Sequence, residues 1–116
     1  MTEHDIQDAI RIALCENGGL CFRCNAGEFW QGRKVYSPAY KQDILLDIRA
    51  VKGLPKGFTD LLYVSPYGRV AFIEVKKLGG KIRPEQVKFI ERLRSMGYEA
   101  GIVHSVDEAK GWVETL

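Results

Sequence analysis

The stretch Gly57 to Lys77, GFTDLLYVSPYGRVAFIEVKK, decides how the rest of the chain is read. Two apolar runs flank SPYGR, which specifies its own turn. In a three-residue loop Pro66-Tyr67-Gly68, proline supplies a φ of about −65° and glycine the left-handed position that closes a hairpin. Ser65 then faces Arg69, and counting outward in antiparallel register sets Val64 against Val70, Leu62 against Phe72 and Asp60 against Glu74. Two acids meet. Opposed residues have Cβ atoms only ~4.5–5.5 Å apart, where like charges destabilise a sheet. Lys76 lies on the same face, because strand side chains alternate with period two. One cation does not offset two acids at a half-buried site, whereas a divalent metal between the carboxylates does.

A hard cation such as Mg²⁺ prefers oxygen ligands and commonly combines one or two carboxylates with substrate phosphate. It polarises a phosphoryl oxygen and lowers the pKa of bound water. Lys76 would orient that water or stabilise charge growing on the phosphate oxygens. The set describes a phosphodiester-hydrolysis centre. Alternatively, Asp60 ends a turn, Glu74 and Lys76 point to water, and Ile73 and Val75 make the core. Against that, Val70 and Phe72 share the Glu74 face and argue that it is covered.

The flanking segments add two inward polar groups. Thr2 and Asp5 form a weak capping box, and Ile6, Ala9, Ile10, Ala13 and Leu14 recur at helical spacing, so a helix is expected from about Glu3 to Glu16, stopped by Asn17-Gly18-Gly19. Glu3 falls on the apolar stripe of that helix. Pro84 suits a first helical turn, and a second helix is expected to Met96 with Gly97 as its cap; Phe89, Ile90, Leu93 and Met96 form its stripe, with Gln86 on it. LCFRCN, ILLDIRAV and YEAGIVHS are expected strands, and the capping-box pattern from Ser105 to Glu108 opens a short last helix. Ala26 to Asp43 has no clean period and is read as a long loop or irregular hairpin. Its Trp30, Tyr36, Arg33 and Lys34 either grip nucleic acid or, for the aromatic pair, fold back as a minor core.

With 116 residues the chain fits a single domain, residues 1–116, and a net charge of +2 excludes a polybasic nucleic-acid wrapper. No run of about 18 apolar residues spans a bilayer, and the N-terminus lacks signal-peptide order, so a soluble intracellular protein with no membrane partner is expected. Cys15, Cys21 and Cys24 are expected to be reduced thiols. A zinc site needs four ligands, and His4 and His104 lie far from the Cys21-x-x-Cys24 pair.

The order and spacing of Glu3, NAG (Asn25 to Gly27), GFTDLL, FIEVKK, GGKIRPEQVKFIERLRSMGY and GIVHSVDEA resemble the PD-(D/E)XK nuclease superfamily. Within it they are similar to the virus-type replication-repair nuclease domain, VRR-NUC. Thr59 stands where the superfamily name has Pro, and Arg83 where members often have Ser. The resemblance implies an α/β (α+β) fold with a restriction-endonuclease-like αβββαβ core, a central mixed β-sheet flanked by helices. It implies that Asp60, Glu74 and the Val75 carbonyl bind Mg²⁺ or Mn²⁺, that Lys76 is the catalytic lysine, that Gln86 buttresses the site and that Glu3 adds a carboxylate. Lys77, Arg33, Lys34 and Trp30 are candidate nucleic-acid contacts.

A metal-dependent DNA endonuclease is therefore expected, selective for branched DNA in the manner of a Holliday-junction resolvase. It would be phage-borne or carried by a mobile element, cytoplasmic in a bacterial host, and serve DNA repair as a two-fold homodimer, with Trp112, Val113 and Leu116 and the SPYGR hairpin as candidate contacts. The competing expectations are a non-cleaving nucleic-acid-binding module and a protein-interaction domain.

Overall fold

The SPYGR turn closes as its residues dictate. In the computed structural model, which describes residues 1–116, Gly68 takes a φ of 85° and the Ser65 N–H donates to the Arg69 carbonyl at 2.7 Å. The strands it joins, β4 (Leu61–Val64) and β5 (Val70–Val75), pair antiparallel with Val64 opposite Val70 and Leu62 opposite Phe72. They form the centre of a four-stranded mixed sheet. β1 (Leu20–Arg23) adds antiparallel to β4, and β6 (Glu99–Val103) adds parallel to β5, giving the order β1-β4-β5-β6.

Helices cover both faces. α1 (Glu3–Glu16) starts at Thr2 with a reciprocal capping box to Asp5, and its Ile10 and Leu14 enter the main core with Ile73, Val75 and Val103. α3 (Val106–Val113) packs on the same face through Ala109 and Val113. α2 (Pro84–Ser95), the crossover between β5 and β6, lies on the opposite face, where Ile90 and Leu93 meet Ala100, Phe72 and Ile102. Full burial of each large aliphatic side chain contributes about 1.5–3 kcal/mol. The core elements α1, β1, β4, β5, α2 and β6 reproduce the expected αβββαβ arrangement, with α3 appended.

Several local expectations are corrected. The irregular segment is a hairpin rather than a loop: β2 (Glu28–Ser37) and β3 (Gln42–Lys52) form a separate two-stranded antiparallel sheet, inserted between β1 and β4. Its register slips between Gln31 and Arg33, where Asp47 bulges at a φ of 53°. Trp30 and Tyr36 do not fold back, each being 63% exposed. Met96 caps α2 instead of extending its buried stripe. Glu108 reaches the N–H of His104, one residue before the Ser105 cap, so α3 lacks the reciprocal box. Val113 is buried in the main core, with Trp112 and Leu116 half-buried against it.

Candidate active site

β5 delivers its last residues to the end of the sheet that faces the start of α2. Phe72, two residues before Glu74 on the same face, packs edge-on against Phe58 at 6.0 Å, and Phe58 stacks on Phe89 of α2 at 4.8 Å. This aromatic cover shuts water away from the α2 side of the strand. Glu74 is 0% exposed and Lys76 8%.

Asp60 lies one residue before β4, and continuing the ladder sets it opposite Glu74. Its backbone carbonyl accepts from Cys24 N–H at 2.8 Å, and its carboxylate Oδ2 accepts from Val75 N–H at 2.9 Å. Both bonds fix the side chain at the strand end. Glu74 has no such support: neither carboxylate oxygen has a hydrogen-bond partner. Burial, and then the neighbouring Asp60, push its carboxyl up to about 9, while Lys76 acts in the opposite sense. A fully buried acid with both oxygens unused is a costly element unless something meets it.

A cleft of about 500 Å³ opens at this point and brings together Glu3, Asp60, Lys76 and Gln86 from four different elements of the sequence. Lys76 Nζ is 4.0 Å from Glu3 Oε1. Gln86 accepts from Arg83 N–H at 3.0 Å through its side-chain oxygen, which ties it to the first turn of α2. Lys56 and Arg83 also line the cleft, as does Glu28 at the base of the β2–β3 hairpin. Sequence reasoning passed over Lys56 and treated Arg83 only as a departure from a pattern. The usable signal was the charge run: Lys76, Lys77, Lys81 and Arg83 fall in one segment with no acid.

Lys77 follows Lys76 and is exposed. Trp30, Arg33 and Lys34 stand on β2 and none of them lines the cleft. Arg33 lies 3.4 Å from Asp47 and Lys34 3.3 Å from Asp43, so both cations are already paired. A second cavity of about 620 Å³ runs along β6 beside Arg94 and Trp112. Its polar groups are spent internally, Arg94 on the Ala100 carbonyl and Trp112 on Glu99.

The donor set beside β5 fits a hard divalent cation. Two carboxylates are adjacent, one of them with both oxygens orphaned, and oxygen-only ligation of this kind suits Mg²⁺ or Mn²⁺. No cluster of three or more His, Cys, Asp or Glu side chains is poised for a metal, so the site relies on the pair and on groups other than side-chain acids. The cysteines do not enter it as a cluster: Cys21 is buried in the main core, with its thiol pushed up to about 12 by burial, and all three are unbridged. No helix is long and apolar enough to cross a membrane.

Comparison with curated protein sequences finds no match. Among solved structures, one described as a VRR_NUC domain superposes with a TM-score of 0.61 at 24% identity, covering 98% of this chain and 97% of that one, which establishes the fold. The sequence model of the VRR-NUC domain matches residues 1–107. A match of that extent, over a fold with the same core, shows that the chain belongs to the VRR-NUC family of nuclease-type domains.

Proposed function

We propose that this protein is a divalent-metal-dependent endonuclease that hydrolyses phosphodiester bonds in DNA, acting on branched substrates as a two-fold homodimer. The observation that carries the proposal is Glu74, buried without a hydrogen bond and set beside Asp60. Folding stability alone gives no reason to place two acids there.

Asp60 and Glu74, with the Val75 carbonyl, would hold Mg²⁺ or Mn²⁺. When bound, the ion supplies Lewis acidity at a phosphate oxygen and acidifies water. The chain's own residues do the rest. Val75 N–H holds the Asp60 carboxylate in place. Lys76, 4.0 Å from Glu3, sets a positive charge at the cleft, where it stabilises charge developing on the phosphate oxygens. Glu3 orients that lysine, and Gln86 buttresses the opposite wall from α2. Lys77, Lys81 and Arg83 make no ion pair and bind the DNA backbone beside the cleft, and cutting both strands of a junction requires two such sites.

The test is cleavage of linear, flapped and four-way DNA with Mg²⁺, with Mn²⁺ and in EDTA. Metal-dependent cutting that favours the branched substrates is expected. Binding without cutting under every metal condition would leave a non-cleaving DNA-binding module, although paired acids that repel phosphate serve no purpose in such a protein.

A further inference from the structure

Two apolar surfaces of this chain have no partner within it. On the α2 side of the sheet, the helix covers β5 and β6 only. Leu20 and Phe22 of β1, which pair with Val64 and Leu62 and so share the Phe72 face, remain 56% and 51% exposed. The second surface is the β2–β3 arm. Its strands pair with each other and with no other strand. Along one face stand Trp30, Ile48, Leu45 and Tyr36, at 63%, 54%, 44% and 63% exposure, with the Lys34–Asp43 ion pair set among them. A lone two-stranded hairpin is marginal in water and needs a third layer to stabilise it.

We propose that the arm of one protomer lies across the uncovered β1–β4 side of the sheet of a second copy, and reciprocally. This rests on the dimeric nuclease proposed above and names the surfaces that would join it. Both halves of the contact are on one chain, so exchange closes after two copies with two-fold symmetry. Reach is sufficient: ten residues of β2 span about 33 Å, and four strands about 4.8 Å apart are narrower than that. With aromatic side chains offering about 150–250 Å² each at full exposure, and these six side chains 44–63% exposed, arm and sheet together present roughly 700 Å² per protomer, close to the ~800 Å² per partner of a stable interface.

Nucleic acid suits the arm less well. Arg33 and Lys34 are paired with Asp47 and Asp43, and the aliphatic Ile48 and Leu45 offer bases no ring to stack on, while Lys41, Arg49 and Lys52 stay unpaired and make nucleic-acid binding the competing outcome of the test below.

The experiment is sedimentation velocity at tens of micromolar on the wild type, Ile48→Glu and Phe22→Glu, with circular dichroism, Mn²⁺ calorimetry and DNA binding on each. Both positions are exposed in the monomer, so folding and metal binding should match the wild type. A dimeric wild type with both variants monomeric is the expected result. A dimer that persists in either variant overturns the arm contact and leaves the dimeric nuclease standing. Ile48→Glu that stays dimeric but loses DNA binding assigns the arm to nucleic acid and overturns the proposal. A monomeric wild type overturns both the arm contact and the two-site reading, while the cleavage assay above still judges the nuclease.

Discussion

On the β2–β3 arm, Arg33 and Lys34 each sit within 3.4 Å of an aspartate across the strands, whereas beside the cleft Lys77, Lys81 and Arg83 have no acidic partner. The arm leaves its apolar side chains uncovered. The cleft wall does the reverse, hiding Glu74 completely beneath an aromatic cover. Exposed ion pairs contribute only about 0–1 kcal/mol each, so the arm's pairs do not stabilise it appreciably, and Lys41, Arg49 and Lys52 of the arm stand outside any ion pair. Unpaired cations beside the cleft set up a potential that attracts phosphate, and the buried acid pair is the place where a divalent metal would be held.

The largest expected effect comes from removing one charge of the acid pair. Asp60→Asn should abolish cleavage while DNA binding in EDTA stays equal or strengthens, because a negative charge facing phosphate has gone; binding lost together with thermal stability would make Asp60 structural. Lys76→Ala is expected to bind Mn²⁺ normally in calorimetry yet lose ~10²-fold or more in single-turnover rate, the scale of one transition-state electrostatic contact. Next comes the rim itself. Replacing Lys77 and Arg83 together with Ala should lower the slope of log K against log salt by about 1.8, two charges at about 0.9 each.

Glu74 gives a subtler readout. Its carboxyl sits near 9 in the folded chain against an ordinary 4.5, so the metal-free folded state holds a proton that the unfolded chain releases. That contribution to stability is fully present below about 4.5 and is lost as pH rises toward about 9. Thermal unfolding in EDTA across the window should therefore fall with pH, and Glu74→Gln should flatten the dependence; an unchanged slope in the variant would assign it to another group. The smallest effect is expected for Arg33→Ala with Lys34→Ala, which should leave the salt slope nearly unaltered. A fall matching that of the rim variant would erase the distinction between arm and cleft.

The turn chemistry of SPYGR carried the register, and the register carried the facing of Asp60 and Glu74, so the centre of the sheet was legible from a few residues. Helix periodicity brought Glu3 and Gln86 to the same place because each is tied to a buried stripe. The arm was illegible for a physical reason. Alternation records which face of a strand is buried, and β2 and β3 bury neither, so Trp30, Val35, Leu45 and Leu46 fall on both faces without a period. The ion pairs that cancel Arg33 and Lys34 depend on cross-strand register and a bulge at Asp47, neither of which local sequence specified.

The ends of the arm are stitched together where it leaves the sheet. Gly27 N–H donates to Leu54 at 2.9 Å, Gly53 N–H to Gly27 at 2.8 Å and Leu54 N–H to Asn25 at 2.9 Å. At Gly53 a Cβ would lie 2.5 Å from the Asn25 carbonyl, so the crossing admits only glycine without a shift. This stem makes everything between residues 28 and 52 a replaceable cassette. Its length and composition can change by insertion, deletion or exchange while β1 and β4 keep their spacing and Asp60 keeps its anchor to Cys24. Selection, or a designer, can rewrite the arm without disturbing the acid pair beside β5.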